Sequence, residues 1–146
     1  MSKEDYVVEK TWTSENGHLC VVLAMKRGFR SGYVGIKENN SLHGKHYHDE
    51  ETNGLYVHGG ITFSEYNEIG YPVDIQERLW FFGFDCAHCD DGVDESILSK
   101  EHYHLRSCLS GVPKTLDYCI SECEELSKQL REFESNILEI KIIERL

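Results

Sequence analysis

The sequence predicts an α+β domain: an antiparallel sheet of about four to six strands with a long amphipathic C-terminal helix. Three observations lead there. Short apolar, β-branched runs alternate with polar, glycine-marked segments over the first two thirds of the chain. Asn16-Gly17 lies between two such runs, and Asn-Gly is a strong hairpin-turn signal. From Leu116 onward, apolar residues recur in steps of three and four, the period of one helix face.

Residues 6–10 read as the first strand, with Trp12 just before the next. Residues 19–25 form a continuous apolar run suited to a buried strand. Residues 25–32 are basic and punctuated by Gly28 and Gly32, so they read as a loop before a short strand at 33–36. Residues 37–53 are a polar loop. Residues 56–64 read as a strand interrupted by Gly59-Gly60, and glycines there mark a bulge or a close approach to the backbone. Residues 65–78 are irregular, 79–84 are the next strand, and 85–113 are mostly loop with a short helix near 94–105.

The stripe Leu116, Cys119, Cys123, Leu126, Leu130, Phe133, Ile137 and Ile140 then predicts a helix over at least 115–135. Thr115, after Pro113, is its expected N-cap. The β-branched tail 137–143 can end instead as a strand. Two readings of the stripe stand side by side: a helix covering the sheet, or a seam for a homodimer through the C-terminal helix. The whole reads as one domain, 1–146, sheet-rich over 1–112 and helical from 115.

The 146 residues carry 26 acidic against 15 basic side chains, a formal charge of −11. Such a balance repels phosphate backbones and predicts no nucleic-acid partner. Lys26, Arg27 and Arg30 are a local basic cluster that suits a small anion. No apolar run nears the roughly 18 residues of a membrane span, and none near the N-terminus has signal-peptide length. The expected setting is cytoplasmic, without a membrane. The six cysteines then read mainly as buried small hydrophobes.

Four constellations could carry chemistry. His58-Gly59-Gly60 and Asp85, His88 and Asp91 lie at the ends of two expected strands. If these ends meet, Asp and imidazole suit a divalent metal ion or a general base oriented by a carboxylate. Otherwise the same groups hold two strand ends together. Cys86-x-x-Cys89 suits zinc only with two more ligands, such as Cys108 or the pair Cys119 and Cys123. His43, His46 and His48 form a solvated loop or an opportunistic metal cluster. Lys26, Arg27 and Arg30, followed by Tyr33, can hold a phosphate or stack a base, or can form a solvated turn.

In order along the chain stand Gly32-Tyr33-Val34-Gly35-Ile36, then Gly44-Lys45 with Tyr47, then Val57-His58-Gly59-Gly60-Ile61-Thr62-Phe63-Ser64. Trp80-Phe81-Phe82-Gly83-Phe84-Asp85-Cys86-Ala87-His88 with Asp91 follows, and then Thr115-Leu116-Asp117-Tyr118. This pattern resembles a family of small, largely uncharacterised accessory proteins of tailed phages and prophages, over about residues 30–130. The resemblance picks out Tyr33, His58, Gly59, Gly60, Asp85, His88 and Asp91. It does not pick out Cys89, His46 or His48, which argues against zinc at Cys86/Cys89 and against the histidine loop.

Three functions are compatible with these residues. The first is hydrolysis of a small nucleotide-like ligand by His58, Asp85, His88 and Asp91, with or without a divalent metal ion, in a counter-defence role in the host cytoplasm. The second is sequestration of such a ligand without turnover, using Lys26, Arg27, Arg30, Tyr33, Gly59, Gly60 and Trp80. The third is engagement of a host protein by the acidic surface and the long helix. All three predict that the imidazole of His58 stands beside the carboxylate of Asp85.

Overall fold

Val21, Val22 and Leu23 are all fully buried. Successive side chains of a strand point to opposite faces, so both faces of this strand are covered. The computed structural model describes residues 5–88, 90–107 and 111–135. Strands β1 (Tyr6–Thr13), β2 (Leu19–Met25), β3 (Arg30–Ile36), β4 (Phe63–Tyr66) and β5 (Trp80–Asp85) form an antiparallel sheet in the order β1-β2-β3-β5-β4. Helix α1 (Leu116–Arg131) packs on one face. This is the α+β class the sequence predicts.

The stripe of α1 is consumed within the chain. Cys119, Cys123, Leu126 and Leu130 have no exposed surface and pack on Cys20, Val22, Val34, Phe82 and Phe84 of the sheet. At Gly32 a Cβ would lie 2.5 Å from the Phe84 ring and 2.8 Å from Cys123 Sγ, so glycine lets the helix close on β3. The covering-helix reading therefore accounts for the stripe through Leu130. Ile137, Ile140 and the rest of the tail, on which a homodimer seam would draw, lie outside the described residues.

The opposite face carries a second core of Val21, Leu23, Tyr33, Phe81 and Leu79, closed by Tyr71, Val73 and Ile75 from the β4–β5 connection. The β3–β4 crossover, residues 37–62, wraps the helix side, where Leu42, Leu55, Val57 and Ile61 join the first core. Two side chains of α1 hold it there. Gln129 bonds the backbone of Tyr56 in both directions, at 2.6 and 2.8 Å, and the Glu122 carboxylate accepts from the His58 N–H at 2.8 Å.

Several expected boundaries move. Arg30, Ser31 and Gly32 belong to β3, so the loop before it is shorter than 25–32. Residues 56–62 are not a strand: Gly59 and Gly60 have φ of 66° and 83°, which breaks an extended run, and β4 begins at Phe63. The short helix near 94–105 is a 3-10 helix at Lys100–Ser107. Helix α1 is capped as expected, Thr115 accepting from the Tyr118 N–H, but ends at Arg131 rather than 135. The chain turns there so that Glu134 can bridge to Asn40. Among the described residues no helix is long and apolar enough to cross a membrane.

Candidate functional site

Asp85 and Cys86 leave β5 on opposite faces. Asp85 follows the parity of Phe81 and Gly83 and lines a cleft of about 280 Å³ with Phe29, Ser31, Tyr33, Thr62, Phe63 and Tyr71. Its Oδ2 accepts from Thr62 Oγ1 at 3.0 Å. Cys86 turns toward the helix, buried, with its Sγ 3.8 Å from that of Cys119.

His58 therefore does not meet Asp85. Its Nε2 lies 2.9 Å from Asp91 Oδ2 and its Nδ1 2.7 Å from the Tyr118 hydroxyl. Asp91 is 1% exposed. It accepts also from the His88 N–H at 3.1 Å and lies 3.4 Å from Lys114 Nζ. Burial works to raise its carboxyl pKa, but the His58, His88 and Lys114 bonds prevail and hold it below the ordinary range. An ionised Asp91 only accepts, so His58 Nε2 carries the proton and Nδ1 accepts from the Tyr118 O–H. Burial, with Glu122 nearby, pushes the Tyr118 phenol up, so it stays protonated.

His88 joins the two sides. Its Nε2 stands 3.5 Å from Asp85 Oδ1, and its ring centre lies 5.9 Å from that of His58. That nitrogen is buried without a hydrogen bond. A Cβ at Gly59 would lie 2.1 Å from it, so the positive-φ glycine makes the room that His88 occupies.

The four expected catalytic residues thus converge, but in the pairs His58–Asp91 and His88–Asp85. Strand parity is the reason: it sends Asp85 to the face away from α1. Lys114 and Tyr118 join this cluster without being marked as site residues by the sequence. Their only signal is position, beside the Thr115 cap whose motif the resemblance includes. The resemblance argues against zinc at Cys86 with Cys89, yet His58, Cys86 and Asp91 place donor atoms all within 4.8 Å of one another. Cys89 and Cys108 lie outside the described residues.

The expected ligand-binding residues divide. Tyr33 lines the Asp85 cleft with its hydroxyl on that of Tyr71, and burial raises its pKa. Arg30 is not open to a ligand. It is buried, bonds both Glu9 oxygens at 2.6 and 3.1 Å, Asp94 at 2.8 Å and the Lys114 carbonyl at 3.0 Å. Burial alone would lower its pKa; the Glu9 and Asp94 bonds raise it instead. Its bond to the Lys114 carbonyl fixes the chain before α1. Lys26 and Arg27 lie in the β2–β3 turn, Arg27 beside Asp5, Phe29 and His102. Trp80 starts β5, at the other end from Asp85, where its indole N–H donates to the Lys45 carbonyl and its ring packs on Tyr66. His46 and His48 are exposed on their loop, their rings against Tyr47.

A second imidazole cluster, for which the sequence carries no signal, lies near the other end of α1. His18 Nε2 is 2.5 Å from Glu134 Oε2, and its Nδ1 is 2.6 Å from Ser127 Oγ. Ser127 Oγ meets Ser14 Oγ at 2.6 Å, and Ser14 Oγ accepts from the His18 N–H at 2.9 Å. A cavity of about 440 Å³ opens beside His18 and Glu134. Ser127 nevertheless has no exposed surface, and its hydroxyl is spent inside the ring. The hydroxyl nearest that cavity's imidazole is therefore already committed within the fold. No protein-family model, curated protein or solved structure matches the chain.

Proposed function

We propose that the His58–Asp91–Tyr118 cluster is the working centre of a hydrolase for a small nucleotide-like phosphoester, in a phage-type accessory protein. One observation carries this reading: the imidazole is held at both nitrogens, by a buried carboxylate on Nε2 and a half-exposed phenol on Nδ1. An oriented base beside a hydroxyl is the logic of nucleophilic catalysis. As Tyr118 Oη attacks phosphorus, its proton passes to His58 Nδ1, and Asp91 stabilises the imidazolium. The P–O bond to the leaving group breaks, and the imidazolium returns the proton to that oxygen. Water, deprotonated by His58, then attacks phosphorus; the P–O bond to Tyr118 breaks, and the imidazolium returns the proton to the phenol oxygen.

Two features suit an anionic substrate. Tyr118 lies in the first turn of a sixteen-residue helix, where the dipole favours negative charge. Lys114 Nζ lies 5.8 Å from the centre of its ring. The test is incubation with a panel of linear and cyclic nucleotides, followed by mass spectrometry of the denatured mixture. Products that vanish in His58→Ala and in Tyr118→Phe are expected. Turnover that survives either substitution would overturn the mechanism.

One observation favours a second reading, sequestration. The Asp85 cleft has the rings of Phe29, Tyr33, Phe63 and Tyr71 with Ser31, Thr62 and Asp85 among them, which suits a flat polar ring such as a nucleobase. Sequestration predicts that ligand is recovered unaltered from the denatured wild-type protein, and that Asp85→Ala loses it.

A further inference from the structure

We propose that His58, Cys86 and Asp91 form a binding site for a soft divalent transition metal, of the zinc type. The inference shares two residues with the phosphoester reading but does not depend on turnover. Nitrogen, sulfur and carboxylate donors within 4.8 Å of one another can close on one ion with bonds of about 2.0–2.3 Å. A sulfur donor selects zinc, cobalt or a similar metal over magnesium and calcium, which prefer all-oxygen shells.

A second thiol stands next to this group. Cys119 Sγ lies 3.8 Å from Cys86 Sγ. Two sulfurs each about 2.3 Å from one tetrahedral ion stand ~3.8 Å apart. Cys119 is therefore a candidate for a fourth ligand, although its sulfur stands outside the 4.8 Å set and would have to close on the ion. Position rather than sequence spacing makes the set: Cys86 follows the last residue of β5, Cys119 lies on α1, and His58 is in the crossover.

The surroundings suit a liganded imidazole. Metal-bound histidines donate their second ring N–H to an outer partner. If Nε2 takes the metal, the ring proton moves to Nδ1 and the Tyr118 oxygen accepts it. The His88 N–H keeps the Asp91 carboxylate in place. Charge also closes. One dication with the Cys86 and Asp91 anions is neutral; a Cys119 thiolate would add one negative charge, which Lys114, 3.4 Å from Asp91, matches. Each thiol releases its proton to solvent on binding. With a metal bound, His58 would be a ligand, so the base role proposed above belongs to the metal-free protein.

The test titrates Co²⁺ into the chelator-stripped, reduced full-length chain. One equivalent is expected, with visible bands of tetrahedral strength and a near-ultraviolet thiolate-to-cobalt band. Cys86→Ser should weaken the thiolate band, leaving at most what Cys119 supplies, and weaken binding by more than the roughly 10–100-fold that an outer-shell partner is worth. The double variant His46→Ala/His48→Ala should change neither. No cobalt uptake, or an unchanged spectrum in Cys86→Ser, would overturn the proposal. Because Cys86 is buried and its substitution can impair folding, zinc X-ray absorption on the wild-type protein supplies a second arm. At least one sulfur at about 2.3 Å supports the site, and a shell of nitrogen and oxygen alone refutes it. No substrate enters either arm, so failure here is separate from failure of the hydrolase reading.

Discussion

His18 meets the Glu134 carboxylate at Nε2 and the Ser127 hydroxyl at Nδ1; His58 meets the Asp91 carboxylate at Nε2 and the Tyr118 hydroxyl at Nδ1. The two rings have the same kinds of partner, near opposite ends of one helix. They differ in closure. His18 is 5% exposed and Ser127 not at all, and every hydroxyl proton has an acceptor within the ring. Around His58, Tyr118 is 37% exposed, His88 Nε2 is buried without a bond, and a thiol and an ammonium stand close by. A satisfied buried network rigidifies a fold. An oriented group with one open side and an unspent neighbour is what a substrate or a metal can use.

The sharpest way to break the comparison is through turnover. Asp91→Asn should lower the hydrolysis rate by about 10²–10⁴-fold, the worth of a positioned base, because Nε2 loses its ionised acceptor. Glu134→Gln, the matching change at His18, should leave the rate per folded molecule unchanged. Mass-spectrometric product counts on both variants check this. Equal losses would erase the distinction.

Stability should respond in the opposite sense. Ser127→Ala strips His18 Nδ1 and Ser14 of a partner in a fully buried place and should cost about 1–3 kcal/mol, read by urea unfolding. Tyr118→Phe leaves His58 Nδ1 near solvent and should cost less than about 1 kcal/mol. The reverse ranking would make the Tyr118 bond a structural one.

Much of the framework was legible in the sequence because single segments encode it. An apolar run of strand length, an Asn-Gly turn, a Thr cap and a three-four stripe each act over a few residues, and β2, its turn, the cap of α1 and its buried face appear where expected. The site was legible only as a list. His58, Asp85, His88 and Asp91 do converge, but which carboxylate each imidazole meets depends on strand parity at Asp85 and on where the crossover lies on α1. Arg30 looked like a phosphate ligand because its partners Glu9 and Asp94 are 21 and 64 residues away. The stretch 56–64 looked like a strand because its β-branched and aromatic residues outweighed two glycines that adopt positive φ. His18 stood alone in the sequence and carried no signal.

Gly59 tests how that turn serves the open cluster. Alanine there is strained at φ 66° and meets the His88 ring. A loss of roughly 1–2 kcal/mol is expected, with His88 displaced, visible as a changed His88 imidazole resonance; a neutral Gly59→Ala would show that the contact does not position His88.

The smallest expected difference concerns acid. Asp91 and Glu134 both titrate below their ordinary values of 3.8 and 4.5, because their imidazole bonds outweigh burial. Each contributes stability that is complete above the ordinary value and is lost as pH falls through the lowered folded value. Glu134→Gln and Asp91→Asn should each flatten the stability profile at the acid end, leaving its shape near neutrality unchanged. A steeper acid loss in either variant would reverse the sign of that carboxylate's contribution.

The most direct measurement compares His58→Ala and His18→Ala in one nucleotide-turnover assay, with the folded fraction of each measured alongside. His58→Ala should stay folded and make no product, whereas His18→Ala should lose stability but keep wild-type turnover per folded molecule. Product from His58→Ala, or its loss from well-folded His18→Ala, would contradict the hydrolase reading.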